Sequence, residues 1–395
     1  MMLTMKSFHS ISAVTTAARV HRGGRKEKHE QSSSSSSSSC CCSSSGSDLN
    51  GLRRVRDRRE RSTQLFSSSS FKFMTYASRI GDEKKKVFID GEAGTTGLQV
   101  RERLEKRTDI ELIQLPDELR KDEKARERAL NECDCAILCL PDDAAIEAVK
   151  LVTNEKVIII DASTAYRTND DWVYGFPEIS KEQREKVRKA KRISNPGCYP
   201  TGFIALIRPL VDANILPKQT KMTVNAVSGY TGGGKQLIAI YETPGAEPYG
   251  AYGFNLNHKH IPEMRKYAGL DSEPIFQPAV GSFAQGMIVS VPLFYDQLNG
   301  IDKGEDLYKC LHERYKNSQF VTVREYNKTD DLERGAFLRA DGLRDSNALE
   351  LSVFANDKKR TCLLIARLDN LGKGASGAAV QNLNLSLGFD ENVGL

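Results

Sequence analysis

Several sequence features that would define a protein class are missing from this chain of 395 residues. Its apolar runs, such as VIII at 157–160, are far short of the roughly 20 residues that span a bilayer. None of its nine cysteines forms a CxxC pair, and no Cys/His set has zinc spacing. We therefore expect no membrane span, no structural zinc and free thiols rather than a disulfide framework.

Acidic residues are scarce at the amino terminus. The first 26 residues contain no Asp or Glu, and residues 1–80 hold 14 Lys or Arg against 5 Asp or Glu. Serine runs at 32–39 and 67–70 complete a composition that cannot bury enough apolar surface to fold. We predict a disordered transit segment over 1–80. The excess of Ser and Thr favours the plastid stroma as its destination, with the mitochondrion as the alternative.

The arginine-rich stretch RRVRDRRERS at 53–62 leaves open a nuclear-import or nucleic-acid patch within that segment. The rest of the chain is slightly acidic. Since binding to nucleic acid needs a clustered basic face, we expect no nucleic-acid partner for the body of the protein.

From Lys84 onward, short apolar segments alternate with helical patterns. The predicted strands cover 84–90, 110–116, 134–141 and 156–163, and the helices cover 98–107, 119–132 and 142–152. Apolar strands separated by helices predict a doubly wound parallel sheet, an α/β fold. Further along, predicted strands at 221–229, 286–294 and 320–326 with a helix at 310–317 indicate a second, α+β domain.

A glycine-rich loop, GEAGTTG at 91–97, directly follows the first predicted strand and precedes a helix. This context predicts that a pyrophosphate binds over Gly91, Gly94, Thr95, Thr96 and Gly97.

Two further positions belong to the same predicted nucleotide site. The second strand ends at Leu115-Pro116 without the acid that usually binds the ribose of NAD, and Arg120 follows, which favours NADP(H). Pro141, at the end of the third predicted strand, is also a predicted cofactor contact.

The segment SNPGCYPTG at 194–202 places Cys198 after a Pro-Gly turn, where a helical pattern begins. A helix amino terminus stabilises a thiolate, and its free N–H groups can hold an oxyanion. Cys198 is thus a candidate nucleophile, although most isolated cysteines are small core residues. Asn195 in the same segment is a candidate substrate contact.

Outside residues 1–80 only three histidines occur, and His312 lies in a charged, surface-type helix. The other two, His258 and His260, lie in HKHIPEM at 258–264. They could share one face of a strand as metal ligands, but no further ligands stand at suitable spacing. A general base for the cysteine is the preferred interpretation. Glu263 is predicted to orient the imidazole or to bind substrate.

Two more motifs carry candidate substrate contacts. VSGYTGGGKQ at 227–236 approaches a P-loop, but Gln236 stands where Ser or Thr would bind magnesium. Lys235 is therefore predicted to contact an anionic substrate rather than ATP. DASTAYR at 161–167 follows a strand end, where Ser163 and Arg167 are predicted to bind a phosphate or carboxylate.

Six motifs occur in the order GEAGTTGLQ, DASTAYR, NPGCYPTG, SGYTGGGK, HKHIPE and GKGASGAAVQN, and they span roughly residues 84–390. This ordered set resembles the N-acetyl-γ-glutamyl-phosphate reductase family in its shorter form, within the wider semialdehyde dehydrogenase group. The resemblance implies Cys198 as nucleophile, His260 as acid–base residue and His258 as a supporting substrate contact. It also implies that Gly374, Gly377 and Asn382 lie near the nicotinamide.

The architecture implied by the resemblance is a Rossmann-type NADP-binding domain over 84–197 and 370–395, with a carboxy-terminal helix returning to it. An α+β catalytic and oligomerisation domain then covers 198–369, in a homodimer or homotetramer. The implied reaction is NADPH-dependent reduction of N-acetylglutamyl 5-phosphate, through a thioester, in arginine biosynthesis. The alternatives are an aspartate-semialdehyde dehydrogenase-like reductase and a non-catalytic NADP-binding redox sensor.

Overall fold

Six parallel strands form the first sheet of the computed structural model, which describes residues 84–395. The predicted transit segment at 1–80 lies outside the described residues. The strands are β1 (Lys85–Asp90), β2 (Ile110–Ile113), β3 (Cys135–Leu138), β4 (Ile158–Asp161), β5 (Val173–Tyr174) and β6 (Arg192–Ser194). They are ordered β2-β1-β3-β4-β6-β5. Every residue of β3 and β4 is buried, as expected of apolar strands covered on both faces.

Four helices follow strands of this sheet: α1 (Thr95–Leu104), α2 (Glu123–Glu132), α3 (Asp142–Lys150) and α4 (Lys181–Lys189). Leu130 of α2 and Ala148 of α3 pack in one buried cluster with Ile159. Leu104 of α1 and Val187 of α4 belong to a different cluster with Ile160. Since neighbouring residues of a strand point to opposite faces, the helices cover both faces of the sheet.

The second sheet has seven strands of mixed direction. They are β7 (Thr223–Gly229), β8 (Tyr249–Ala251), β9 (Ile275–Gly281), β10 (Met287–Phe294), β11 (Val321–Val323), β12 (Leu349–Asn356) and β13 (Thr361–Leu368). Their order is β11-β12-β13-β10-β7-β9-β8. Along β13, buried and half-buried residues alternate strictly, so one face of this sheet forms a core.

Two of the next four helices pack on this sheet. The chain adds α5 (Cys198–Asp212), α6 (Gly234–Tyr241), α7 (Ile261–Ala268) and α8 (Gly304–Tyr315). Helix α5 packs on β10 and β13 and contacts α7 and α8. Most of its residues are buried, and its first residue, Cys198, follows the end of β6 in the first sheet by four positions.

After β13 the chain passes through a π-helical turn (Gly372–Ser376) into α9 (Gly377–Leu387). Helix α9 packs against α1, α4 and β4, so the carboxy-terminal segment lies on the first sheet. The predicted α/β fold class, with a parallel nucleotide-binding type of sheet and a mixed second sheet, is confirmed. The domain boundaries stay a prediction, because both sheets belong to one compact unit. No helix within residues 84–395 is long and apolar enough to cross a membrane.

Candidate active site

The glycine loop joins β1 to α1 in a very tight turn. Gly91 has a φ of +86°, and a Cβ there would lie 2.4 Å from the Cys139 carbonyl oxygen. A Cβ on Gly97 would lie 2.4 Å from the Gly91 carbonyl oxygen. Only glycine therefore fits these two positions. Gly94 is the N-cap of α1.

The amino terminus of α1 remains open to a ligand. Within the described chain no side chain caps this helix, whose first two residues are Thr95 and Thr96. Its free N–H groups and dipole favour an anion. The loop and helix thus fit the pyrophosphate of a dinucleotide. Pro141 is the N-cap of α3 and follows β3, the strand that pairs with β1.

Cys198 is the first residue of α5, as predicted, and is partly buried. Gly197 caps the helix without a side-chain hydrogen bond. Burial raises the pKa of the Cys198 thiol to about 11, against the opposing effects of the Arg167 guanidinium and the Tyr199 backbone N–H. The Tyr199 N–H at the helix terminus favours the thiolate, as expected, but burial of the thiol opposes it more strongly.

Three side chains converge beside Gly197. A Cβ at that position would lie 2.6 Å from Arg167 Nη1, 2.7 Å from Glu263 Oε1 and 2.8 Å from His260 Nε2. These residues come from the loop after β4, from α7 and from the residue preceding α7. The structure thus brings the predicted base and the predicted arginine to the residue before the predicted nucleophile.

Both histidines of the HKH segment are neutral at pH 7. His260 is 7% exposed, and burial together with the nearby Arg167 charge holds its pKa well below 6.5. Its Nδ1 has no hydrogen-bond partner in the part of the chain that the structure describes. Burial also lowers the pKa of His258 to about 4. The His260 backbone N–H donates to His258 Nδ1 at 3.2 Å, and this bond orients the His258 ring.

Glu263 is 1% exposed and both of its carboxylate oxygens have protein partners. Oε1 accepts from Arg167 at 2.8 Å, and Oε2 accepts from the Tyr174 hydroxyl at 2.9 Å and from the Gly197 N–H at 3.2 Å. A direct substrate contact of Glu263 stays a prediction. The carboxylate holds Arg167 and the turn before Cys198 in place.

Arg167 is also buried, with 7% exposure. Its Nε donates to the Asn195 carbonyl at 3.0 Å and its Nη2 to the Ala162 carbonyl at 3.2 Å. Burial opposes its charge, but Glu263 and Tyr174 raise its pKa above the usual value. Arg167 therefore remains a cation beside the Cys198 thiol, and its contact with a substrate stays a prediction.

Ser163 and Asn195 are buried and bonded within the protein. The Ser163 hydroxyl donates to Asp161 Oδ2 at 2.7 Å. The Asn195 amide donates to the Ala375 carbonyl at 3.0 Å and accepts from the Asn382 amide at 3.1 Å. These bonds tie neighbouring loops together, and the substrate contacts of both residues stay predictions.

The three predicted cofactor residues near the carboxy terminus, Gly374, Gly377 and Asn382, lie in different surroundings. A Cβ on Gly374 would lie 2.8 Å from Cys198 Cβ, so Gly374 lies against the candidate nucleophile. Gly377 packs against Asn347, where a Cβ would lie 2.4 Å from the amide oxygen. Asn382 is fully buried and donates to the Gly175 carbonyl at 3.0 Å. The Asn382 Oδ1 has no hydrogen-bond partner within residues 84–395, and the cofactor contacts of Gly377 and Asn382 stay predictions.

Lys235 lies in the exposed first turn of α6 and forms no ion pair within residues 84–395. Its substrate contact stays a prediction. Arg120 pairs through Nη2 with Glu92 Oε1 at 2.9 Å and with Asp117 at 2.8 Å. It therefore lies between the glycine loop and the chain after β2. No cluster of three His, Cys, Asp or Glu side chains in the described part of the chain could hold a metal ion.

One buried network was not predicted. Lys373 donates to Glu178 Oε1 at 2.6 Å, and the Gln381 amide donates to the same oxygen at 2.8 Å. Both members of the ion pair are 1% exposed at the side chain. Lys373 precedes Gly374, so the pair fixes the turn that lies against Cys198. Neither charge carried a sequence signal, because their partners are 195 positions apart.

Two protein-family models match the two parts of this chain. Residues 86–187 match the family described as semialdehyde dehydrogenase, NAD binding domain, and residues 198–370 match semialdehyde dehydrogenase, dimerisation domain. Among solved structures, aspartate semialdehyde dehydrogenase II from Vibrio cholerae has a TM-score of 0.60 over 77% of this chain and 98% of that one. At 15% identity this likeness shows the fold alone.

Sequence relatives are much closer. The N-acetyl-gamma-glutamyl-phosphate reductase of Trichormus variabilis is 52% identical over 320 residues, covering 79% of this chain and 99% of that protein. The protein of the same name from Chelativorans sp. is 51% identical over 304 residues, covering 76% and 98%. With such identity over nearly the whole length of both relatives, the chain belongs to the N-acetyl-gamma-glutamyl-phosphate reductase family.

Proposed function

We propose that the protein reduces N-acetyl-γ-glutamyl 5-phosphate to N-acetylglutamate 5-semialdehyde and phosphate with NADPH, a step of arginine biosynthesis. The observation that carries the proposal is the convergence of Arg167, Glu263 and His260 within 2.8 Å of one point beside Gly197, next to Cys198. The family relationship supplies the substrate, and this cluster supplies a cysteine, a neutral imidazole and a fixed cation for acyl transfer.

Cys198 attacks the acyl-phosphate carbon. The new S–C bond replaces the C–O bond, phosphate leaves and a thioester remains on Cys198. Since the thiol has a pKa of about 11, it is protonated at rest and its proton must be removed during the attack. His260 is neutral and so has a free ring nitrogen to accept that proton. Arg167 stabilises the negative charge that develops on sulfur or on the carbonyl oxygen.

The backbone also contributes. The open amino terminus of α5 presents N–H groups, among them that of Tyr199, toward the developing oxyanion. Glu263 receives the Gly197 N–H and the Arg167 guanidinium together, so the turn and the cation are fixed relative to each other. This fixed arrangement reduces the reorganisation needed in the transition state.

The nucleotide is held by the glycine loop and the open end of α1. Gly91, Gly94 and Gly97 allow the pyrophosphate to approach the backbone, and Thr95 and Thr96 supply the first N–H groups of the helix. When bound, NADPH supplies the hydride that reduces the thioester. We favour NADP over NAD because Arg120 lies after β2 and no acid stands at the end of that strand.

The test is the reverse reaction of the full chain with N-acetylglutamate 5-semialdehyde, phosphate and NADP, followed by NADPH absorbance. Cys198→Ser should lower turnover at least about 10³-fold. Cys310→Ser, a half-buried thiol of α8, is the matched control and should retain activity. Turnover of aspartate semialdehyde instead would change the substrate but keep the mechanism. No turnover by folded, nucleotide-binding protein would overturn the proposal and favour a binding or redox-sensing role.

We further propose a homodimer or homotetramer that uses the outer face of the second sheet. Ile275 of β9 and Phe294 of β10 are 55% and 63% exposed at that sheet, an unusual placement for apolar strand residues. Phe294→Glu should shift the molar mass measured by light scattering toward the monomer. Phe254→Glu, an exposed phenylalanine outside the strands, should not. A monomeric parent chain would contradict this proposal.

The plastid stroma is the proposed location, with the mitochondrion as the alternative. The support is the Ser-rich, basic composition of residues 1–80. Import of the full chain and of a variant beginning at residue 81 into isolated plastids and mitochondria tests this. Uptake of the full chain by neither organelle would overturn it.

A further inference from the structure

A cluster of ion pairs connects the glycine loop to the chain that follows β2. Arg120 Nη2 contacts Glu92 Oε1 at 2.9 Å and Asp117 Oδ1 at 2.8 Å. Arg101 Nη1 lies 3.5 Å from the other oxygen of Glu92. Glu92 belongs to the glycine loop itself and is 13% exposed at the side chain. The carboxylate therefore stands between two guanidinium groups at the predicted nucleotide site.

The position of this cluster is significant because β1 and β2 are neighbouring parallel strands. In dinucleotide-binding folds the adenosine ribose lies between the glycine loop after the first strand and the end of the second strand. Arg120 and Glu92 bridge these two segments. The pair thus occupies the region where an NADP molecule carries its 2′-phosphate and an NAD molecule carries its ribose hydroxyl.

The guanidinium of Arg120 is only partly satisfied by this pairing. Both carboxylates approach the same nitrogen, Nη2, while the buried Nε has no hydrogen-bond partner among residues 84–395. Arginine binds phosphate best through two parallel N–H bonds. A phosphate that displaces the carboxylates from Nη2 would satisfy the Nε donor as well.

We propose that Glu92 is the specificity-determining counter-ion of the nucleotide site: it holds Arg120 before binding and yields it to the 2′-phosphate of NADPH. The inference rests on the proposed function and names a residue that sets its cofactor choice. Glu92 opposes the phosphate in two ways, by neutralising Arg120 and by repelling the incoming charge. Its carboxylate is also an acceptor for the ribose hydroxyls of NADH, so it narrows the preference for NADPH.

The test measures dissociation constants of NADPH and NADH for the full chain, from the fluorescence of the bound nucleotide, without substrate. Arg120→Gln should weaken NADPH about tenfold or more and NADH less than about twofold, as expected for loss of a charged hydrogen bond. Glu92→Gln should strengthen NADPH about three- to tenfold and weaken NADH. Lys121→Gln, the exposed neighbour of Arg120, is the matched control and should change the ratio less than about twofold.

The double variant Glu92→Gln/Arg120→Gln decides whether Glu92 acts through Arg120. We expect Glu92→Gln to lose most of its effect on NADPH in the Arg120→Gln background. An unchanged NADPH/NADH ratio in Glu92→Gln, or equal weakening of both nucleotides in Arg120→Gln, would overturn the inference while leaving the proposed function intact. A parent chain that binds neither nucleotide would overturn the proposed function as well.

Discussion

Ion pairs at the glycine loop and at the Cys198 centre differ in their exposure. At the loop, the Arg120 side chain is 36% exposed and Asp117 84%. At the centre, Arg167 is 9% exposed and Glu263 1%. Exposed pairs contribute little to stability and exchange partners easily, whereas a buried charge that loses its partner is very costly. The ion pairs at the glycine loop are thus suited to exchanging partners when a ligand binds. The Arg167–Glu263 pair is suited to holding the reacting groups in a fixed geometry.

The strongest test of this comparison measures the stability of two variants, Glu263→Gln and Glu92→Gln. Removal of the Glu263 charge leaves Arg167 buried without a counter-ion, so we expect a loss of about 3–5 kcal/mol in the free energy of unfolding. Glu92 is 13% exposed, but its partners Arg120 and Arg101 are 36% and 33% exposed, so Glu92→Gln should cost less, about 1 kcal/mol. Denaturant unfolding of both variants measures the difference. Equal small losses would show that the central pair is as exchangeable as the one at the loop.

His260→Asn tests the chemistry of the centre rather than its stability. A general base contributes about 10²–10⁴-fold, so we expect kcat to fall at least about 10²-fold while NADPH binding is unchanged. His312→Asn, on the exposed side of α8, is the matched control and should leave kcat unaltered. Loss of nucleotide binding together with kcat would mean that the imidazole supports the fold instead.

Gly374→Ala tests how tightly the carboxy-terminal turn is packed against the nucleophile. The added Cβ would lie 2.8 Å from Cys198 Cβ and 3.1 Å from the Asp369 carbonyl oxygen, so Cys198 must shift. We expect a loss of kcat of about 10²-fold, the effect of a small misplacement of a reacting group. In Gly250→Ala the nearest atom would be 3.6 Å away, and this control should be nearly silent. Full activity of Gly374→Ala would refute the close packing.

Local signals explain why the centre of the site was predictable. The Pro196-Gly197 turn and the glycine spacing of 91–97 act within a few residues, and the structure places both at the starts of helices. The strands β1, β3 and β4 were equally predictable, because burial of both faces gives them apolar runs.

Side-chain contacts between residues far apart in the chain could not be predicted from the sequence. Glu178 and Lys373 look like ordinary surface charges until the fold brings them together. Glu263 was predicted as a site residue, but its pairing with Arg167 across 96 positions was not. The strands β8, β9, β12 and β13 were not predicted, although β12 and β13 are each eight residues long. Burial also raises the pKa of the Cys198 thiol, against the local effect of the helix terminus.

The smallest expected effect concerns the Cys198 centre, and it is tested by the pH dependence of Cys198 alkylation. Burial raises the thiol pKa from 9.0 to about 11, so the protonated form is the stable one in the folded protein. The contribution of this neutral thiol to stability is present below pH 9 and is lost as the pH rises toward 11. The rate of iodoacetamide labelling, followed at the Cys198 peptide by mass spectrometry, should rise about tenfold per pH unit without a plateau near 9.

Protonation of the histidines should leave no step in that profile near pH 6.5, because the pKa of His258 is about 4 and that of His260 is lower than usual. Arg167→Gln should slow labelling, since loss of the neighbouring cation raises the thiol pKa further. A plateau at pH 7–8, or faster labelling in Arg167→Gln, would mean that a thiolate already exists at rest. The Cys198 centre would then be a preformed ion pair, and the contrast with the exchangeable charges of the glycine loop would disappear.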